Sequence, residues 1–491
     1  MAKREVYTDY FYDENVYDFH DGGYVPLVMP NVPEKKLLIP EVLQPDRVQG
    51  DEIWYTIVAQ KGETAILPGL KTKTWGYGMS ILGKTVILED GKHYHVHIVN
   101  NLDEITTLHW HGLNIPGPIT DGGPHAPIYP GGSRDIEFTL HQEGAQTDWM
   151  HAHPCPNTAR QVWNGLAAFV IVTDEQARTL PLPQTYGVDD IPLVLQDRTY
   201  HNNQLDYHKD YDVDGTLGRY PLINGTINGV FHVTTPKLRL RLLNGANRRE
   251  FRLHFADNRP FTQIASDCGF LDPVIDLTKL MLTPAERAEV VVNFSDCQPG
   301  ERVVLMSDDT PLVNFDIGNF SPNKQPIADH LVTIPQWQAD TDGQLQTTVM
   351  SGMDENVRLD GQLFDMTRID RQQQLGKTVD WDVKNTNNPD GGMIHPFHMH
   401  GCHFQVISRN GHAPYPNETG FKDTIGVNSG ETVRIRVRFD VLGVFMYHCH
   451  ILEHEDTGMM AQIKIFDPQN PQNYHLKSMT EIMNHYPSKK E

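Results

Sequence analysis

One pattern in this chain occurs twice, in the same order, and it limits the possible folds more than any other feature. H-W-H-G (109–112), W-M-H-A-H (149–153) and G-L-A-A-F-V-I-V-T-D (165–174) return as H-M-H-G (398–401), M-Y-H-C-H (446–450) and G-M-M-A-Q-I-K-I-F-D (458–467). The step from the first histidine pair to the second is 42 residues in one copy and 50 in the other. A shorter unit occurs three times: Y-P-G-G-S-R-D-I-E-F-T-L (129–140), L-T-P-A-E-R-A-E-V-V-V-N-F (282–294) and V-N-S-G-E-T-V-R-I-R-V-R-F (427–439). Each reads as a turn entering a half-buried strand.

Self-similarity on this scale implies duplicated domains. The chain is therefore expected to be all-β, with three Greek-key β-sandwiches over 1–175, 188–312 and 340–491. A Leu/Pro-rich linker, T-L-P-L-P-Q-T (179–185), follows the first, and a polar tail closes the third. The middle domain has His201, His208, His232 and His254 but no His-x-His, so it is expected to carry no metal, to space the outer two and to help wall a substrate cleft.

Bulk properties narrow the function. The 491 residues carry 41 basic and 63 acidic side chains, a net charge of −22, which argues against nucleic acid and anionic membrane as partners. The 33 Pro and 39 Gly suit a loop-rich β protein. The longest apolar run, L-A-A-F-V-I-V (166–172), is far too short to span a membrane. The first residues lack the apolar core of a signal peptide, so a cytoplasmic location is expected, with spore coat or non-classical release as the alternatives. Five scattered cysteines fit a reducing compartment, and a Cys268–Cys297 pairing stays open.

In a strand, residues i and i+2 share a face, so His-x-His presents two imidazoles side by side. Random placement of 25 histidines gives about 1.3 such pairs. The chain has six: 93/95, 95/97, 109/111, 151/153, 398/400 and 448/450. The run K-H-Y-H-V-H (92–97) has no counterpart in the third domain and is expected to face solvent. The other four pairs occupy equivalent places in the repeat. Buried without metal, their eight imidazoles would leave many polar nitrogens in need of partners. Eight are too many for one ion and suit three, at an interface between the first and third domains.

The segment Y-H-C-H-I-L-E-H-E-D-T-G-M-M (447–460) explains itself on the same geometry. His448 and His450 face one way and Cys449 the other, so one strand serves two metal sites. His395, Cys449, His454 and Met459 supply two imidazoles, a thiolate and a weak thioether, the donor set of an electron-transferring copper. Zinc prefers four strong ligands and seldom takes a thioether in structural sites.

The motifs H-W-H-G, H-A-H, H-P-F-H-M-H-G (395–401) and H-C-H-I-L-E-H-E-D-T-G-M-M, together with L-I-N-G-T-I-N-G-V-F and L-R-L-R-L-L-N-G-A-N-R-R in the middle, resemble those of multicopper oxidases of the laccase type. The chain is most similar to bacterial spore-coat laccases and bilirubin oxidases. The resemblance implies cupredoxin-like domains and four copper ions, one of type 1, one of type 2 and two of type 3. By it, His395, Cys449, His454 and Met459 are type 1 ligands, and Met459 is preferred to Met460 on spacing. His109 and His398 are type 2 ligands, and His111, His151, His153, His400, His448 and His450 are type 3 ligands. It also implies the reaction: one-electron oxidation of a small reducing substrate, entering through His454 and leaving by the Cys449 backbone, coupled to reduction of O₂ to water. Glu455 and Asp121 match acids that relay protons, whereas Asp456 is expected to be ordinary surface. An axial Met favours electron-rich phenols and aromatic amines. The competing functions are a cuprous oxidase for copper tolerance, a copper-free cell-division scaffold of the same fold and, more remotely, a zinc hydrolase.

Overall fold

The computed structural model describes residues 4–12, 25–389 and 392–485. Three β-sandwiches follow one another, each built on one strand plan. Glu52–Thr64 runs parallel to His93–Asn100, which pairs antiparallel with Ser133–Thr139. Asp190–Arg198, Lys237–Asn244 and Arg287–Asn293 repeat that trio, as do Gln346–Ser351, Thr378–Asn385 and Thr432–Arg438. The last strand of each trio is the short unit that recurs in the sequence.

The facing sheets repeat as well. In the first sandwich Val86–Glu89, Ala167–Thr173, Gln146–His151 and His109–His111 lie side by side. The third sandwich places Arg371–Gln374, Met460–Phe466, Gly443–Cys449 and His395–Met399 in the same order. The middle one uses Gly229–Val233, Thr310–Ile317, Arg302–Ser307 and Phe251–Phe255. Its two strands corresponding to the histidine strands read R-V-V-L-M-S and F-R-L-H-F, with His254 as their one histidine. The duplication is therefore threefold in fold and twofold in histidine pairs.

Period-2 alternation explains the cores. Along His93–Asn100, Tyr94, Val96 and Ile98 turn inward and are fully or nearly fully buried, while the histidines between them are half-buried on the outer face. Trp381 and Val383 meet Phe397, Phe445 and Ile463 in the third core, and Leu240, Leu242 and Val290 meet Phe251 and Phe315 in the second. Burying each such aliphatic or aromatic side chain contributes about 1.5–3 kcal/mol before entropy is counted.

Two expectations change here. The interval 1–175 assigns the N-terminal residues to the first sandwich, but Val6–Tyr7 pairs with Gly269–Leu277 and Lys35–Lys36 with Gly229–Val233, both in the middle one. The N-terminal segment so closes two edges of the middle sandwich, which lacks partners for them in its own sequence. All five cysteines are free thiols, so Cys268 and Cys297 do not pair. Among the described residues no helix is long and apolar enough to cross a membrane. The final residues of the tail, 486–491, lie outside the described part.

Candidate metal centre

The antiparallel pairing sets the histidines before any metal is considered. His151 stands opposite His109, and His398 opposite His448. The two repeats then meet face to face. The His109 ring stacks on His400 at 3.8 Å, and the His111 ring stacks on His398 at 3.7 Å. The first histidine of each His-x-His-Gly thus packs on the second histidine of the other, as a pseudo-twofold axis requires. His151, His153, His448 and His450 complete the pocket, and all eight rings are essentially without solvent exposure.

In five of these rings one nitrogen is spoken for by a carbonyl or by Thr424 and Asp423. His109 Nδ1 donates to the Asp121 carbonyl and His398 Nδ1 to the Asp423 carbonyl, each at 2.9 Å. His151 Nδ1 donates to the Ala152 carbonyl (2.9 Å) and His448 Nδ1 to the Cys449 carbonyl (3.0 Å). His111 is turned the other way: its Nε2 meets Thr424 Oγ1 (3.1 Å) and Asp423 Oδ1 (3.2 Å). What remains points inward. His109 Nε2, His398 Nε2, His151 Nε2, His111 Nδ1 and both nitrogens of His450 have no hydrogen-bond partner among the described residues. Nε2 of His448 lies 3.1 Å from that of His400 and 3.4 Å from that of His153. Buried, unpartnered imidazole nitrogens converging in one pocket are costly unless a cation takes their lone pairs. Burial, reinforced by the neighbouring imidazoles, pushes His151, His153, His400 and His450 well below the usual imidazole range, so these rings are neutral and ready to ligate.

Two acids each span the interface. Asp121 Oδ2 lies 2.9 Å from His400 Nδ1 and 3.6 Å from His109 Nδ1. Glu455 Oε1 lies 3.3 Å from His153 Nδ1, and its Oε2 lies 3.4 Å from His448 Nδ1. Burial, and then the nearby Asp456 charge, raise the Glu455 carboxyl well above the ordinary carboxylate range. Asp456 is not ordinary surface: its carboxylate accepts from the Thr158 and Ala159 amides (3.0 and 2.9 Å) at the start of helix Thr158–Asn164. Those amides are the unsatisfied donors of a helix N-terminus, which is why an acid is stable there.

Sequence reasoning missed Asp423, the pseudo-twofold counterpart of Asp121. Each offers its carbonyl to the first histidine of one His-x-His-Gly and its carboxylate to the second histidine of the other. The acid downstream of each His-x-His-Gly was the available signal. Arg287, from the middle sandwich, holds Asp423 and reaches Asp148 of the first (3.0 Å). Gly112 makes room for this contact. At its φ of +102°, a Cβ would lie 2.1 Å from the Asp148 carboxylate.

On the opposite face of strand Gly443–Cys449, Cys449 Sγ lies 3.4 Å from His395 Nδ1 and 3.7 Å from His454 Nδ1. All three side chains are fully buried. The register decides between the two methionines. Met460 stands opposite His448 and shares its face, so Met459 turns to the Cys449 side and joins the core around it. Burial drives the Cys449 thiol strongly upward, so a thiolate here needs a cation beside it. Asn387 Nδ2 sits 3.0 Å from His395 Nε2, and Asp214 of the middle sandwich sits 3.7 Å from His454 Nε2. The middle domain is more than a spacer. Its Asn247 carbonyl accepts from the Leu452 amide (3.1 Å), and its Asn247 Nδ2 donates to Glu453 (2.8 Å), fixing the turn that carries His454.

Comparison with known proteins agrees with this geometry. Two multicopper oxidase family models match, one over residues 58–177 and one over 335–469. "Multicopper oxidase mco" of Staphylococcus aureus is 38% identical over 432 residues, covering 88% of this chain and 93% of that protein. Crystal structures of a multi-copper oxidase and of a laccase from Pediococcus acidilactici are each 61% identical. They superpose with TM-scores of 0.95 and 0.92 and cover 96% and 94% of this chain and 100% of their own. Cell division protein FtsP of Escherichia coli is 30% identical over 466 residues, 90% of this chain and 96% of that protein. The chain belongs to the multicopper oxidase family. It is an oxidoreductase with copper cofactors that uses a small-molecule substrate and O₂.

Proposed function

We propose that this chain is a laccase-like oxidase that takes single electrons from phenols and aromatic amines and delivers four of them to O₂, forming two waters. Four copper ions would supply the electron transfer and the oxygen chemistry. One is held by His395, Cys449, His454 and Met459, one by His109 and His398, and two by His111, His151, His153, His400, His448 and His450. The carrying observation is the set of buried imidazole nitrogens left unpartnered on one face of strand Gly443–Cys449, with the Cys449 sulfur between two imidazoles on the other. Cys449 and its neighbours His448 and His450 share one backbone, a short covalent route between the two centres.

The chain's own groups account for the protons. Reduction of O₂ to two waters takes four electrons and four protons. Glu455, whose carboxyl burial pushes well above the ordinary range, lies beside His153 and His448, and Asp121 lies beside His400 and His109, so each acid reaches both halves of the pocket. Asp214, beside the outer edge of His454, is placed to receive the proton that a phenol releases as it loses an electron. The P. acidilactici laccase supports this substrate class by similarity.

A copper-free scaffold is the second reading, favoured by the FtsP match; retention of the whole donor set speaks against it. The deciding experiment is metal analysis and a visible spectrum of copper-loaded protein, followed by turnover under air with phenols, aromatic amines and Cu(I). Four coppers per chain, a thiolate–copper band and phenol-dependent O₂ uptake are expected. Fewer than four coppers with no band would support the scaffold, and turnover of Cu(I) alone would point to a cuprous oxidase.

A further inference from the structure

The histidine run expected only to face solvent is more organised than that. His93, His95 and His97 share the outer face of their strand, and the register gives each a row of partners on both flanking strands. His93 stands between Glu52 and Thr139, His95 between Trp54 and Glu137, and His97 between Thr56 and Asp135. His93 Nδ1 lies 2.8 Å from Thr139 Oγ1. His95 Nε2 lies 2.5 Å from Glu52 Oε2, and its Nδ1 lies 3.6 Å from Glu137 Oε2. His97 Nδ1 lies 2.6 Å from Asp135 Oδ1.

Same-face neighbours on an extended strand are about 6.6 Å apart. The His93 and His95 rings nevertheless lean together, with centroids 4.8 Å apart at 72°. Trp54 holds His95 flat, its ring 4.6 Å away at an interplanar angle of 7°, and the Arg47 guanidinium covers the same indole. The donor atoms of Glu52, His93 and His95 all lie within 4.8 Å of one another. Solvent reaches them, since His95 is 28% exposed and Glu52 46%. His95, with His97 and Glu137, borders a hollow that also takes in Thr120, the neighbour of Asp121.

Two imidazoles and a carboxylate are the wrong donors for Ca²⁺ or Mg²⁺, which want oxygen alone, and the right ones for Cu²⁺ or Zn²⁺, with copper bound more tightly. We propose that Glu52, His93 and His95 form a surface site for one exchangeable Cu²⁺ ion, apart from the resident centres, with Thr139 orienting His93. The ion takes the place of the proton shared by His95 Nε2 and Glu52 Oε2. Nothing in this site depends on the oxidase reaction, so it stands or falls separately from the proposed activity.

The test uses the full chain without an affinity tag, already copper-loaded, dialysed against a fixed low concentration of free Cu²⁺. Wild type is expected to hold one copper more than H93N/H95N. The difference paramagnetic resonance spectrum should show a tetragonal Cu²⁺ with nitrogen splitting from two imidazoles. The thiolate–copper band should be the same in both and reports that the variant is folded. E52Q keeps both imidazoles and should bind the extra ion roughly tenfold or more weakly. Equal copper in wild type and H93N/H95N overturns the site. If the double variant does not fold, E52Q decides: equal affinity for Cu²⁺ in E52Q and wild type overturns it equally.

Discussion

Arg287 donates to both oxygens of Asp423, from Nη1 at 2.6 Å and from Nη2 at 2.7 Å, with neither side chain exposed to solvent. Three domains meet in this contact, because Arg287 belongs to the second, Asp423 to the third, and the Asp148 that shares Arg287 Nη2 to the first. Asp423 in turn holds His111 Nε2, which leaves His111 Nδ1 as the atom facing the pocket. Its role is positioning.

Asp423→Asn should therefore loosen His111 without touching Cys449, while its carbonyl contact to His398 survives. Groups that orient metal ligands typically matter by about ten- to a hundredfold. O₂ uptake at saturating donor should fall by that factor while the thiolate–copper band stays. Removing the cation instead, by Arg287→Leu, leaves Asp148 and Asp423 without their cation in the interior and should cost about 3–5 kcal/mol of stability in urea unfolding. Normal O₂ uptake by the Asp423→Asn protein would show that the contact is structural only.

Glu455→Gln tests the proton supply. The amide fits the same space between His153 and His448 but carries no ionisable proton. General acid–base contributions run to about a hundredfold or more. Steady-state O₂ reduction should drop on that scale, whereas bleaching of the thiolate band by a phenol without O₂ should keep its rate. Equal losses in both steps would place the effect at Cys449 rather than in the oxygen pocket. Asp121→Asn should show the same split, since its carbonyl contact to His109 survives the change.

Cys449→Ser separates the two centres. The serine oxygen is a poor replacement for a soft thiolate, so the visible band and donor oxidation should vanish. His448 and His450 project from the other face of the strand and should keep their ions. Elemental analysis should find three coppers per chain; loss of all four would mean that the two sites do not assemble independently.

How much of this was readable beforehand depended on distance along the chain. A strand of period 2 turns His-x-His into a pair and His-Cys-His into two opposed faces, so the histidine donors and Cys449 were local facts. The domain plan was equally visible, because each short repeat carries its own turn and strand. The contact between Asp423 and Arg287 was not readable, since 136 residues separate them, and only the place of an acid downstream of His-x-His-Gly hinted at Asp423. Asp456 looked like surface because its partners are main-chain amides of Thr158 and Ala159, which no side-chain pattern announces. The pairing of Val6–Tyr7 with the middle sandwich has the same character: two residues are too short a run to show where they dock.

His403 offers a test of the interface by pH. Its Nδ1 lies 2.5 Å from Glu143 Oε2, and its Nε2 donates to the Gly112 carbonyl at 2.8 Å, so both ring nitrogens carry protons and the imidazole is a cation. Burial opposes that charge, but Glu143 outweighs it and His403 is raised from 6.5 to about 9. Glu143 is lowered below its usual 4.5, with burial again outweighed by His403. A raised histidine stabilises the fold fully below 6.5, and its contribution is lost as pH climbs through 9. The depressed glutamate contributes above 4.5 and fades only as pH falls below that. The pair is thus strongest between about pH 4.5 and 6.5, and the histidine part amounts to about 3 kcal/mol. His403→Gln should be most destabilising in urea unfolding near pH 6, with the deficit against wild type shrinking by about that amount towards pH 9.5. A deficit that stays constant from pH 6 to 9.5 would mean that His403 is neutral in the folded chain and that its hold on the H-W-H-G turn is not ionic.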